Sequence, residues 1–171
     1  MLVLLAAAPR ADRAIVRGIL LAALALSFAA ACSPRVQPNL APPPQPDAKG
    51  LELVGIARSL IGAPYLNGGT APEGFDCSGF VRYVFGEVGI TVPRSVRDLA
   101  AIGEPVDRDH LRPGDVIFFA IDGHTISHVA IAVTADTFVH APSSRGRVRE
   151  ESLNVDYWRT RFAEARRITH E

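Results

Sequence analysis

The sequence predicts an α+β domain, an antiparallel sheet with helices packed on it, and three observations carry that reading. Helical spacing comes first along the chain: Leu53, Val54, Ala57, Leu60 and Ile61, then Phe80, Val81, Val84, Phe85 and Val88. Short runs rich in Val, Ile and Phe come later, over 116–120, 126–133 and 137–140. Turn signals frame these runs, Arg112-Pro113-Gly114-Asp115 before the first and Asp122-Gly123 after it. No internal repeat interrupts this order.

The 171 residues divide before the domain begins. Residues 1–31 carry Arg10, Arg13 and Arg17, then run without charge from Gly18 to Ala31. A basic region, an apolar stretch and small residues at its end form the pattern of an export signal. The uncharged run is shorter than the ~20 residues of a membrane-spanning helix. It ends in Ala29-Ala30-Ala31-Cys32, which resembles the lipobox of bacterial lipoproteins, with Ala29 where leucine is usual. That resemblance implies cleavage before Cys32 and a diacylglycerol on its sulfur. With Ser33 in place of a retention-signal aspartate, it implies a periplasmic protein anchored to the outer membrane more readily than the inner. Simple secretion and an uncut anchor are the alternatives. Met1 to Ala8 form a separate apolar run, and 17 arginines against one lysine suggest a GC-rich coding sequence. A translation start at Val16 is therefore a second reading of this end.

Residues 32–48 hold Cys32 and six prolines, a composition that favours an extended tether over a core. Residues 49–171 are the length of one domain. From Ser33 onward 15 basic residues face 17 acidic ones, a balance that makes no electrostatic case for nucleic acid. With Cys32 lipidated, Cys77 has no intramolecular partner, and a lone thiol outside the cytoplasm needs a reason.

Within the domain, residues 51–61 are expected as a helix closed by Gly62 and Pro64, and 63–75 as a loop. A helix follows over 77–88, with Asp76 as its N-cap, and a short one over 96–101. Strands are expected over 116–120, 126–133, 137–140 and 147–151. Tyr157, Trp158, Arg161, Phe162 and Ala165 then read as a terminal amphipathic helix capped by Asn154. Arg145, Arg147 and Arg149 alternate beside Glu150 and Glu151, as on a solvated strand edge.

Cys77 falls in the first turn of its helix, where the partial positive charge and free N–H groups favour thiolate. Asp76 opposes this, so a nucleophilic Cys77 wants a base. His110 and His170 lie in polar surroundings and His124 in a turn. His128 and His140 lie in apolar strands, where either alone reads as a satisfied structural residue. An odd-residue turn around 134–136 would put both even-numbered histidines on one sheet face, one able to act as base and the other to orient it. A Cys-His₃ zinc site from Cys77, His124, His128 and His140 is the rival. It is disfavoured because the His124-to-His128 interval suits a helix, not a strand.

Tyr65-Leu66-Asn67-Gly68-Gly69-Thr70, GFDCSGFV over 74–81, Pro93-Arg94-Ser95, Pro113-Gly114-Asp115, Ser127-His128-Val129-Ala130-Ile131 and Val139-His140-Ala141-Pro142 occur in that order. Together they resemble the NlpC family of bacterial cell-wall cysteine endopeptidases. The resemblance implies a papain-like α+β fold and cleavage of peptidoglycan stem peptides or crosslinks at bonds of the D-glutamate or diaminopimelate type. It makes Cys77 the nucleophile, His128 the general base and His140 the residue orienting that base. Tyr65, with Asn67 and the neighbours Asp76 and Ser78, supplies the expected oxyanion and substrate contacts. No metal or cofactor is required, the membrane partner is met only through Cys32, and a monomer suffices. Asn67, where an aromatic residue is common, and Leu99, where glutamine is common, depart from the pattern. A non-catalytic peptidoglycan-binding lipoprotein, or an amidase or acyltransferase on the same Cys-His site, are the alternative functions.

Overall fold

Leu53, Val54 and Ala57 recur at helical spacing and are buried on one side of helix α1 (Ala48–Ser59). They belong to a computed structural model that describes residues 48–168. The expected export signal, Cys32 and the proline tether lie outside the described residues. Helix α2 (Cys77–Glu87) buries Phe80, Val81, Val84 and Phe85 on its inner side, and the one-turn α3 (Val96–Leu99) is capped by Ser95. Among the described residues no helix is long and apolar enough to cross a membrane.

Helices α1, α2 and α3 lie on one face of a six-stranded antiparallel sheet. Its strands are β3 (Glu104–Val106), β4 (Val116–Phe119), β5 (His128–Ala132), β6 (Thr137–His140), β7 (Arg149–Ser152) and β8 (Phe162–Arg167), in the order β3-β8-β4-β5-β6-β7. A separate hairpin, β1 (Thr70–Ala71) and β2 (Gly74–Phe75), precedes α2. Every residue of β4 and β5 is buried, because the sheet is covered on both sides. Val116, Phe118, Val129, Ile131 and Val139 meet the helices, while Ile117, Phe119, Ala130, Ala132 and Phe138 form a second core with Leu153, Trp158 and Ala165. Period-two alternation thus sorts each strand's side chains between two apolar layers.

The expected α+β class, with helices before strands, is what the chain adopts. The chain end differs. Helix α4 (Asp156–Arg159) is a single turn entered through Val155, not Asn154, and the chain then extends as β8 between β3 and β4. Phe162 and Ala165, three apart, look like one face of a helix. They share a face of a strand instead because the register shifts between Phe118 and Phe119: Phe162 pairs with Phe119 and Ala165 with Ile117. A bulge changes strand parity, and here it imitates helical spacing. The loop expected over 63–75 contains the small hairpin, and β3 was not expected.

Candidate active site

Asp76 enters α2 in extended conformation and its carboxylate accepts the Gly79 N–H at 2.7 Å, as an N-cap should. The same carboxylate accepts from the Gly68 N–H at 3.0 Å and from both terminal nitrogens of Arg94, at 3.0 and 2.5 Å. Arg94 also donates to the Ser78 hydroxyl at 2.7 Å. Burial alone would raise the Asp76 pKa, and Arg94 with the two N–H groups outweighs it, leaving the carboxyl below its usual range. Gly79 is needed for a close approach: a Cβ there would lie 1.9 Å from the Gly69 carbonyl oxygen. That carbonyl accepts the Asp76 N–H at 3.2 Å, so the glycine lets the β1–β2 hairpin dock on the helix start.

Cys77, a free and half-buried thiol, follows directly. The N–H groups of Val129, Ser78 and Cys77 itself draw its pKa down, but burial first and Asp76 second push it up, and the upward direction wins. The helix start therefore softens the cost of a thiolate without establishing one, and a proton acceptor is needed. Val129 is the residue after His128, so the sulfur lies against the start of β5. Tyr65 is also near. Its hydroxyl is pushed up by burial, then by Cys77 and Asp76. Asn67 is exposed in the turn that follows.

The β5–β6 hairpin closes through the three residues 134–136, with Ile131 opposite Val139 and Ala132 opposite Phe138. This odd-residue turn gives His128 and His140 the same face, and His128 Nε2 lies 2.7 Å from His140 Nδ1. Trp158 stacks on the His128 ring at 5.7 Å between centroids and meets the His140 ring edge-on at 4.9 Å. Burial pushes His128 down to about 3, helped by the neighbouring His140, and burial also lowers His140. Both rings rest neutral at pH 7 and share one hydrogen bond.

Three side chains at the site were not singled out from the sequence as functional. Arg94 ties Asp76 to Ser78, and only its Pro-Arg-Ser context hinted at a role. Trp158, the single tryptophan, expected on a helix face, instead walls the histidine pair. Glu151, expected on a solvated edge, accepts from the Trp158 Nε1–H and the Arg149 Nε–H. The register explains the difference: Arg149 pairs with His140 and Glu151 with Phe138, which puts both on the histidine face, while Glu150 points to the helix side and pairs with Arg58 at 2.9 Å. Glu151 is held down to about 2 by His140 first, with Trp158 and Arg149 adding to it against burial. His124 is exposed in its turn, Leu99 is buried in the helix-side core, and His170 lies outside the described residues. Among the described residues no three His, Cys, Asp or Glu side chains group as a metal site.

Residues 62–167 match the family model described as the NlpC/P60 family. This chain belongs to the NlpC/P60 family. It is 41% identical over 126 residues to the gamma-DL-glutamyl hydrolase of Bacillus subtilis (strain 168), covering 72% of this chain and 30% of that one. It is 43% identical over 108 residues to the murein DD-endopeptidase MepS/murein LD-carboxypeptidase of Escherichia coli (strain K12), covering 63% and 56%. The chain thus spans about a third to a half of these curated relatives. The crystal structure of an NlpC/P60 family protein from Bacillus cereus ATCC 10987 superposes with a TM-score of 0.66 at 36% identity, over 69% of this chain and 39% of that one. The fold is that of the family, the papain-like α+β arrangement expected from the motifs.

Proposed function

We propose that this protein is a cysteine peptidase of the cell wall that hydrolyses peptide bonds in peptidoglycan stem peptides or crosslinks. Cys77 is the nucleophile, His128 the general base and His140 the residue that orients it. The observation that carries the reading is the buried 2.7 Å contact between His128 Nε2 and His140 Nδ1, on a strand whose next N–H faces the Cys77 sulfur. With Nε2 engaged by His140, Nδ1 of His128 is the nitrogen left to take the thiol proton.

In this mechanism His128 removes the Cys77 proton as the sulfur attacks the peptide carbonyl. The tetrahedral oxyanion is met by the Cys77 N–H at the helix start and by the Tyr65 hydroxyl. Collapse expels the amine, which takes its proton from His128, and leaves a thioester. Water, deprotonated by His128, then releases the acid and the free thiol. Relatives named as a gamma-DL-glutamyl hydrolase and a murein DD-endopeptidase favour bonds that involve D-amino acids, the D-glutamate or diaminopimelate type.

Digestion of purified sacculi with wild type and Cys77→Ala, followed by mass spectrometry of the fragments, tests the assignment. Wild type is expected to create new peptide termini and the variant none; equal cleavage by both overturns it. The same reading extends to location, with Cys32 lipidated and the protein held in the periplasm at the outer membrane by its proline tether. Palmitate labelling that is lost in Cys32→Ser and recovered in outer-membrane fractions of wild type is the expected result, and unlabelled wild type would overturn it.

A further inference from the structure

His140 is wholly buried, and its Nε2 is the one buried side-chain nitrogen or oxygen among the described residues without a hydrogen-bond partner. The carboxylate of Glu151 faces it, with Oε1 at 3.9 Å. That is too long for a hydrogen bond but close enough for a charge to matter in a dry setting. Glu151 does not sample the surface freely, because the Trp158 indole and the Arg149 guanidinium both donate to it. The charged groups acting on the histidine pair are Glu151 and Arg149 on β7; Trp158 from α4 and Phe138 from β6 add uncharged rings.

The position of Glu151 selects a tautomer. A proton on His140 Nε2 points at the carboxylate, whereas a bare Nε2 would set a lone pair against an anion inside the protein. With Nε2 protonated and the ring neutral, Nδ1 of His140 must accept. His128 then donates from Nε2 and keeps an unprotonated Nδ1. We infer, on the Cys77–His128–His140 reading above, that Glu151 is a positioning residue that fixes the tautomers of the two histidines and stabilises the positive charge His128 acquires from the Cys77 thiol. The step is a transfer of one proton from Sγ to Nδ1 of His128, giving thiolate and imidazolium, and it needs no other reactant. Burial lowers both histidines, Glu151 acts against it on each, and Arg149 acts with it. The two charges of one strand thus pull the site in opposite directions.

Alkylation of Cys77 by iodoacetamide in the full chain, followed across pH by mass spectrometry of the Cys77 peptide, reads thiolate formation without any substrate. Glu151→Gln keeps a carbonyl for the indole and removes the charge. It is expected to slow alkylation at neutral pH by about tenfold and to move the profile about one unit to higher pH. Arg149→Gln is expected to move it to lower pH. A purely structural role for this strand predicts no such opposite pair of shifts. Superimposable wild-type and Glu151→Gln profiles overturn the inference, as does a shift of the same sign in both variants. Should Glu151→Gln fail to fold by its melting curve, the sign found for Arg149→Gln decides. Cleavage of sacculi by Cys77→Ala would defeat the peptidase reading and leave these profiles standing, so the two failures are told apart.

Discussion

Strands β5 and β6 are buried on both faces, and the two faces are built from different chemistry. Toward α1 and α2, Val129, Ile131 and Val139 meet Leu53, Phe80, Val84 and Phe85, all carbon against carbon. Away from the helices, the alternate positions put His128 and His140 among Phe119, Phe138 and Trp158, with Arg149 and Glu151 at the margin. One residue of sequence separates the two environments, since Val129 follows His128. The lesson is about division of labour within a strand. The helix face needs only volume and shape, so its contribution is stability. The other face confines polar groups where few hydrogen bonds reach them, which costs stability and confers reactivity.

Paired substitutions on β5 would break this comparison most directly. Ile131→Ala removes carbon from the helix face and is expected to cost about 2–5 kcal/mol of stability, with the folded fraction still able to cleave. His128→Ala is expected to lower turnover by about 10²- to 10⁴-fold, the range of a lost general base, while the domain stays folded. Urea unfolding and sacculus digestion of the same two preparations check both halves. Loss of turnover in folded Ile131→Ala, or unimpaired turnover in His128→Ala, would remove the distinction between the faces.

Much of this was legible because it depends on local pattern. The Asp76 cap and Cys77 in a first turn follow from a helical repeat beginning at Phe80. The shared face of His128 and His140 follows from parity once the turn over 134–136 has an odd number of residues. What escaped depends on pairing at a distance. Arg94 reaches Asp76 across 18 residues of sequence, and nothing local marks that partner. Glu151 looked solvated because strand parity says which residues share a face but not which face is covered; Trp158 covers it. The terminal helix was misread because the bulge opposite Phe118 and Phe119 lets residues three apart share a strand face. The opposition of Asp76 to a Cys77 thiolate was legible, but the larger effect of burial was not, because burial depth is a tertiary quantity.

A titration of stability sharpens the comparison further, with a smaller effect. His128 is lowered from 6.5 to about 3, and His140 is lowered as well. Between those values the unfolded chain binds protons that the folded chain refuses, so stability rises with pH there. The contribution is complete above about pH 6.5 and is lost progressively as the pH falls, at up to about 1.4 kcal/mol per pH unit for each histidine. Asp76 and Glu151, whose carboxyls are also lowered, add acid sensitivity of the same sign at lower pH. The histidines are therefore best read between pH 6.5 and about 5, above the usual carboxylate range. Urea unfolding of wild type through this window is expected to show the slope, and His128→Gln a shallower one. Ile131→Ala should lie parallel to wild type at lower stability, because the side chain it removes does not titrate and leaves both histidines buried. A wild-type slope no steeper than that of His128→Gln would show that the two faces do not differ in protonation as their burial and composition imply.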